Sequence, residues 1–252
     1  MNTTTIDNRN DTTTVGHHEN GEYLPPCGIV KLSVAPKFLK AMALFASTDQ
    51  TREVLCCVAL DYTGENPVLV STDGRRLGVY SLAHPDSFCD VSQAKGKVLL
   101  IPTALIAQIK GTRKQIEETK VDFEFEGNTI RMTLERMGKV TSMTQQAAEK
   151  CFGRFPKWRQ VLPRDPVKAF ATVSLNGHFV ADFQKAGEIL NESSNTPFPT
   201  FIAHGSETDK QPVSPYSVRI QGVHEFYGVI MPIHASAQDE ERYADCKPDF
   251  VK

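Results

Sequence analysis

One arrangement of apolar residues occurs three times in this 252-residue chain and limits what it can fold into. The segments are Ser33–Met42, Leu100–Ile109 and Ser174–Phe183, at offsets of 67 and 74 residues. In each, a strand-like residue (Val34, Ile101, Leu175) is followed four places later by Phe38, Leu105 or Phe179. The next position is again apolar (Leu39, Ile106, Val180), and so is the one three further on (Met42, Ile109, Phe183). A strand that ends in a turn and runs into a helix with one apolar face has this spacing. Pro36 and Pro102 suit a first helical turn, and Asn176 suits an N-cap. Three helices are expected, near residues 36–47, 102–110 and 177–190.

Strand-like stretches follow each helix. After the first come Glu53–Leu60, Pro67–Ser71 and Leu77–Leu82, and after the second Lys120–Glu126, Thr129–Leu134 and Met137–Thr144. After the third come Pro199–Ala203, Ser217–Gln221 and Phe226–Ile233. The repeated unit is therefore β-α-β-β-β. Short helices among hairpins predict an α+β fold of antiparallel sheets with the helices on one face. Residues 1–26 are rich in Thr, Asn, Asp and Gly and carry too little apolar surface to offset their ordering entropy. They are expected to be a disordered tail, and 236–252 a flexible acidic one. Between them, 27–163 would hold two units and 164–235 the third.

No apolar run approaches the ~20 residues that cross a bilayer, and the start lacks the apolar stretch of a signal peptide, so a cytoplasmic protein without membrane contact is expected. The cysteines, at 27, 56, 57, 89, 151 and 246, form no CxxC pair and read as reduced, scattered thiols. Charge is uneven: −3 over residues 1–26 and −2 over 236–252 leave +3 between them, which permits contact with nucleic acid without requiring it. A phosphate loop, GxSxG, HExxH and EF-hand patterns are all missing, and the histidines are dispersed. Neither an enzyme nor a metal or other cofactor is expected. Asp73, followed by Gly74, reads better as a turn residue bonding its own backbone than as a catalytic acid.

Four stretches are more specific than packing requires. They are Leu69-Val-Ser-Thr-Asp-Gly-Arg-Arg-Leu-Gly-Val-Tyr80, Gly153-Arg-Phe-Pro-Lys-Trp-Arg-Gln-Val-Leu-Pro163, Ser174-Leu-Asn-Gly-His-Phe-Val-Ala-Asp182 and Tyr227-Gly-Val-Ile-Met-Pro-Ile233. They resemble, in order, the T-D-G-H-R-L segment, the G-R-F-P-x-Y-R-x-V-L-P linker, the F-N-x-x-Y-L-x-D helix start and the V-x-M-P-x-R-L strand of the bacterial sliding clamps, the beta subunits of DNA polymerase III. The resemblance covers residues 29–235. A family chain has three domains of two units each. Here 29–163 resembles the middle domain, and 164–235 resembles the second half of the last. Arg75 stands where the family usually has His, and Thr103 and Ala104 where it often has basic residues.

The resemblance implies a clamp-like accessory protein of DNA replication, a processivity factor and not an enzyme. It implies a cleft for linear peptides of DNA polymerases, clamp loaders or repair proteins. One wall would be Leu55, Thr72, Gly74, Arg75, Arg76 and Leu77 with Pro163, and the other Val229, Met231, Pro232 and Ile233. It also implies duplex DNA held without base readout by Lys37, Lys40, Lys110, Arg113, Lys114 and Lys185 on the helices. The blander alternatives stay open: the cleft residues could pack a core, with Arg76 in a structural hydrogen bond, and the lysines could be a solvated helix face. A regulator or decoy that binds partner peptides without enclosing DNA fits the same residues. A family ring contains twelve units, so a chain with three is expected to form a homo-oligomer.

Overall fold

The computed structural model describes residues 29–83, 90–126, 129–147, 155–165, 167, 173–191, 196–205 and 214–233. The expected tails at 1–26 and 236–252 lie outside these residues, as do Cys27, Cys89, Cys151 and Cys246. Cys56 and Cys57 are buried, their thiols donating to Asp49 O at 3.2 Å and Glu53 O at 3.6 Å.

The elements follow the repeated order. They are β1 (Ile29–Val34), α1 (Pro36–Ala43), β2 (Cys57–Asp61), β3 (Val68–Thr72), β4 (Arg76–Ser81), β5 (Val98–Pro102), α2 (Thr103–Ile106), α3 (Arg113–Glu117), β6 (Thr119–Glu126), β7 (Thr129–Arg136), β8 (Lys139–Ala147), α4 (Gly177–Leu190), β9 (Pro199–Ile202), β10 (Tyr216–Ile220) and β11 (Val223–Ile230). All strand pairs are antiparallel. One sheet runs β1-β6-β7-β8 and the other β5-β2-β3-β4-β11-β10-β9. The fold is α+β, as the periodicity predicts.

The first two units exchange their leading strands: β1 pairs with β6 of the second unit, and β5 pairs with β2 of the first. Among the described residues the third unit has no such reciprocal sheet. The leading strand expected around Leu175 does not form among them: Ser174 accepts a backbone bond from Ile233 N at 2.8 Å, and Val167 makes an isolated antiparallel bridge with His204. The third unit joins the first unit's sheet through β11 on β4.

Local sequence explains the elements. Pro36 opens α1, which buries Phe38, Leu39 and Met42. Asn176 caps α4 by accepting from His178 N at 3.0 Å. The second helix is shorter than expected, ending at Ile106. A separate helix, α3, follows because Thr112 and Gln115 form a reciprocal capping box. Glu53–Cys56, expected to begin a strand, belongs to a 3₁₀ segment, Gln50–Cys56, that starts on the Asp49 cap. In β6, Val121, Phe123 and Phe125 are buried while Lys120, Asp122 and Glu124 alternate with them, so one face packs inward.

The seam between the first and third units rests on two glycines. Gly78 and Gly228 sit opposite each other across β4 and β11. A Cβ on Gly78 would lie 2.6 Å from the Phe45 ring, and one on Gly228 2.4 Å from Phe183. The space they leave lets the Phe45 and Phe183 rings approach the sheet with centroids 4.9 Å apart, and Phe226 packs against both.

Candidate functional site

Pairing of β4 with β11 brings two segments about 150 residues apart in sequence to one end of the seven-stranded sheet. Leu77 lies opposite Val229 and Arg76 opposite Ile230, and Met231 N donates to Arg75 O at 2.9 Å. From there the chain runs through Pro232 to Ile233. Thr72–Leu77 is a tight hairpin turn: Asp73 Oδ1 accepts from Arg75 N and Arg76 N at 2.8 and 3.0 Å, and Gly74 takes a φ of 90°. Asp73 is thus a turn residue, as its sequence context predicts. The Thr72 hydroxyl donates to Arg76 O at 2.6 Å and accepts from Gly74 N. Leu55 is half-buried in the Gln50–Cys56 segment, whose Arg52 donates to Asp73 O at 3.1 Å and so ties it to the turn.

The expected wall residues divide by exposure. Gly74, Arg75, Met231 and Ile233 are exposed, the last two at 41% and 50%, and Leu55 and Pro163 are half-buried. Thr72, Arg76, Leu77, Pro232 and Val229 are buried. Leu77 and Val229 belong to a small cluster with Val70 and Val79, on the sheet face opposite the one that holds Leu69 and Tyr80. Trp158 closes this cluster, with Phe155, Leu162 and Tyr227 packed beside it.

The segment 155–163 is strapped down by one carboxylate that sequence reasoning did not single out. Asp61, at the end of β2, accepts from Trp158 Nε1 at 2.9 Å and Arg159 Nη1 at 2.6 Å, while Thr63 donates through its N–H and hydroxyl. Burial pushes this carboxyl's pKa up. The bonds from Thr63, Trp158 and Arg159 outweigh burial and hold it below the ordinary Asp value. The Arg159 guanidinium also stacks 4.2 Å from the Trp158 ring. The signal in the sequence was Trp158 itself, the chain's single tryptophan.

Arg76 is buried in structural bonds, the blander reading of that residue. Its guanidinium donates to Asp73 Oδ2, Asp182 Oδ2 and Leu44 O, and lies 4.4 Å from the Phe179 ring. It therefore joins the turn to α1 and to α4 of the third unit.

The basic residues expected on the helices lie on or between α1, α2, α3 and α4 and are partly engaged within the chain. Lys40 Nζ donates to Ile109 O at 3.0 Å, closing the end of the second helical segment. Arg113 pairs with Glu117 and donates to Asn191 O at the C-terminus of α4, where a cation is favoured by the helix dipole. Lys185 pairs with Asp182 at 3.2 Å, and Lys37 Nζ lies 5.1 Å from the Phe38 ring. Lys110 and Lys114 are exposed. No helix among the described residues is long and apolar enough to cross a membrane.

No family model and no curated protein matches this sequence. Among solved structures, the chain is similar to "Caulobacter crescentus pol III beta" at 17% identity, over 84% of this chain and 69% of that one, with a TM-score of 0.51. It is similar to a DnaN sliding clamp (DNA polymerase III subunit beta) from Bartonella birtlesii bound to griselimycin, at 18% identity over 86% and 70%, with a TM-score of 0.50. A further sliding clamp from Caulobacter crescentus matches at 16% identity over 84% and 68%, also at 0.50. This chain has the fold of the bacterial sliding clamps.

Proposed function

We propose that this protein is a sliding-clamp-like accessory factor of DNA replication, in which a clamp-like domain (27–163) and a half-domain (164–235) share a binding site for linear peptides. The observation that carries the reading is the β4–β11 junction. It places exposed Met231 and Ile233 beside the Gly74–Arg75 turn, to which Arg52 ties the segment carrying half-buried Leu55. Half-buried Pro163 ends the strap over the same sheet face. A Met and an Ile give an adaptable apolar floor, and Arg75 gives a charged rim. Polymerases, clamp loaders and repair proteins are the partners this reading names. Leu77 and Val229 act as support beneath the site, because Trp158 already covers them.

The test is titration of a linear peptide with two apolar anchors near one end. Binding in the micromolar range, about −8 kcal/mol, is expected. Met231→Asp should remove it without unfolding the protein, since Met231 is exposed. Undiminished binding by that variant rejects the site. Leu77→Asp is a poor probe, because it buries a charge under Trp158.

Duplex DNA along the helices is the second part of the reading, with Lys37, Lys40, Lys110, Arg113, Lys114 and Lys185 as its contacts. The intramolecular bonds of Lys40, Arg113 and Lys185 favour the rival reading, a clamp-fold regulator that binds peptides without enclosing DNA. Retention on nicked circles with loss from linear ends supports the first. DNA binding unchanged when Lys110 and Lys114 are replaced by Ala supports the second.

A further inference from the structure

Three arginines meet at the Thr72–Leu77 turn, and two of them are engaged within the chain. Arg52 donates to Asp49 Oδ2 at 3.2 Å, to Asp73 O at 3.1 Å and to Ser47 Oγ at 3.4 Å. Arg76 is buried against Asp73, Asp182 and Leu44 O. Arg75 differs from both. Its backbone is held on two sides, N on Asp73 Oδ1 at 2.8 Å and O on Met231 N at 2.9 Å. Its side chain is exposed and, among the described residues, makes no hydrogen bond, ion pair or ring contact. The carboxylates around it already have partners. Asp49 is taken by Thr51 and Arg52, Asp73 by Arg76 and two backbone N–H groups, and Asp182 by Arg76 and Lys185. One guanidinium on a fixed backbone is left without a counter-charge of its own.

Across from it, the Met231–Ile233 segment is tied at both ends, by Met231 N on Arg75 O and by Ile233 N on Ser174 O at 2.8 Å. Met231 and Ile233 are exposed and Pro232 between them is buried, the alternation of an extended segment with one face outward. Arg76 pairs with Ile230, so Arg75 stands directly across from Met231. The result is two apolar side chains in a row with an unneutralised cation beside the first. We infer, on the reading that this junction binds linear peptides, that Arg75 determines their specificity by selecting a carboxylate next to the apolar anchor seated on Met231. A carboxylate matches the guanidinium fork with two parallel bonds. A basic residue at the same place in the peptide meets like charge and is rejected. A DNA phosphate would satisfy the charge but would leave Met231 and Ile233 with no apolar partner. An Asp or Glu side chain and the peptide's own C-terminus both supply a carboxylate, and the test separates them.

The test uses the full chain and labelled peptides with two apolar anchors, read by fluorescence anisotropy at low salt. The residue beside the first anchor is Glu, Gln or Lys, and each peptide is made with a free and with an amidated C-terminus. The carboxylate-bearing peptide should bind about fivefold more tightly than its neutral counterpart, the size of a well-formed exposed ion pair. The Lys peptide should bind most weakly, and the differences should shrink as salt is raised. A preference that follows Glu against Gln assigns the side-chain carboxylate, and one that follows amidation assigns the chain end. Arg75→Gln should bring the preferred peptide down to the neutral one, and Arg75→Glu should reverse the ranking in favour of Lys. Circular dichroism melts check that both variants fold, as expected for an exposed residue bonded through its backbone alone; if Arg75→Glu does not, Arg75→Gln and the salt series decide. Equal binding of all the peptides, or a preference that survives Arg75→Gln, overturns the inference; loss of binding in Met231→Asp then leaves the peptide site itself standing. Absence of binding by every peptide overturns both. Weaker duplex DNA binding by Arg75→Gln with an unchanged peptide ranking assigns the guanidinium to phosphate and overturns the inference as well.

Discussion

Replacing Asp61 with Ala should loosen the strap over the candidate peptide site, and the loss can be sized from the structure. The carboxylate is 6% exposed and takes four hydrogen bonds, from Thr63 N, the Thr63 hydroxyl, Trp158 Nε1 and Arg159 Nη1. Arg159 is 48% exposed, so water can replace its partner, and its ion pair counts for little. Trp158 is only 9% exposed, and its indole N–H would be left without an acceptor. A buried donor stranded in this way costs about 1–3 kcal/mol, and a bond to a charged group contributes about 1.5–3 kcal/mol. A total near 3 kcal/mol is expected for Asp61→Ala, and about half that for Asp61→Asn, which keeps a carbonyl acceptor. The single tryptophan makes the assay direct: urea unfolding followed by Trp158 fluorescence, with the same curve followed by circular dichroism. The Asp61→Ala and Trp158→Phe changes should also be strongly non-additive, because both remove the same bond. The pH dependence has a definite sign. The folded carboxyl's pKa is depressed, so its stabilisation is complete above the unfolded Asp value and is lost as pH falls through the folded one. An Asp61→Ala stability within about 0.5 kcal/mol of wild type, the size of an ordinary surface substitution, would refute the strap.

Other perturbations probe the seam and a turn. Gly228→Ala puts a methyl 2.4 Å from Phe183 and should cost about 1–3 kcal/mol in denaturant unfolding, with Gly78→Ala behaving alike against Phe45. Arg76→Ala removes the shared partner of Asp73, Asp182 and Leu44 O; it should cost about 3 kcal/mol in the same assay, and Arg76→Lys should not restore it, because one ammonium cannot span three acceptors. Met137 has a φ of 52° before Gly138 at the β7–β8 turn and is 85% exposed, so Met137→Asn should raise stability by about 1 kcal/mol in thermal melts.

The sequence made the repeated unit legible because its signals are local. Apolar positions such as Phe38, Leu39 and Met42 report a helix face, and the alternation in Val121, Phe123 and Phe125 reports a strand face. The full span of α4 could be read for the same reason: the Asn176 cap and its apolar stripe lie within one stretch. Strand exchange could not be read this way. Nothing near Val34 or Ile101 says that each will pair in the other unit's sheet, because that choice is settled by which sheet has an edge to offer. Leu175 has the same local pattern, yet among the described residues no strand forms there and no reciprocal sheet receives it. The segments of the candidate site were likewise visible as motifs, while their support was not. Asp61 and Asp182 act through partners about 100 residues away in the chain, a distance that periodicity does not register.

Among the described residues the third unit exchanges no strand with another, which explains why the candidate site and the inter-unit seam are the same place. A complete pair of units is held by two exchanged strands, β1 and β5. The third unit is held instead by β11 on β4, the Phe45–Phe183–Phe226 contact and the Arg76–Asp182 pair, with Arg113 reaching Asn191 from outside. Apart from the Arg113 bond, each of these begins on or beside the Thr72–Tyr80 hairpin or the end of α1. Met231 is bonded to Arg75 by the first backbone contact beyond the β4–β11 ladder, so whatever orders Met231 to Ile233 also extends that ladder. A peptide held there adds contacts to both units at once and stabilises their docking by its own binding free energy, as linkage requires of any ligand that prefers the docked form. The reverse follows by reciprocity: loosening the seam weakens the peptide. Gly228→Ala lies on β11 with its clash directed at Phe183, away from exposed Met231, so it separates this coupling from direct contact. It should lower peptide affinity in titration although it alters no side chain of the site, and unchanged affinity in a destabilised Gly228→Ala protein would show that the site is held by the first unit alone.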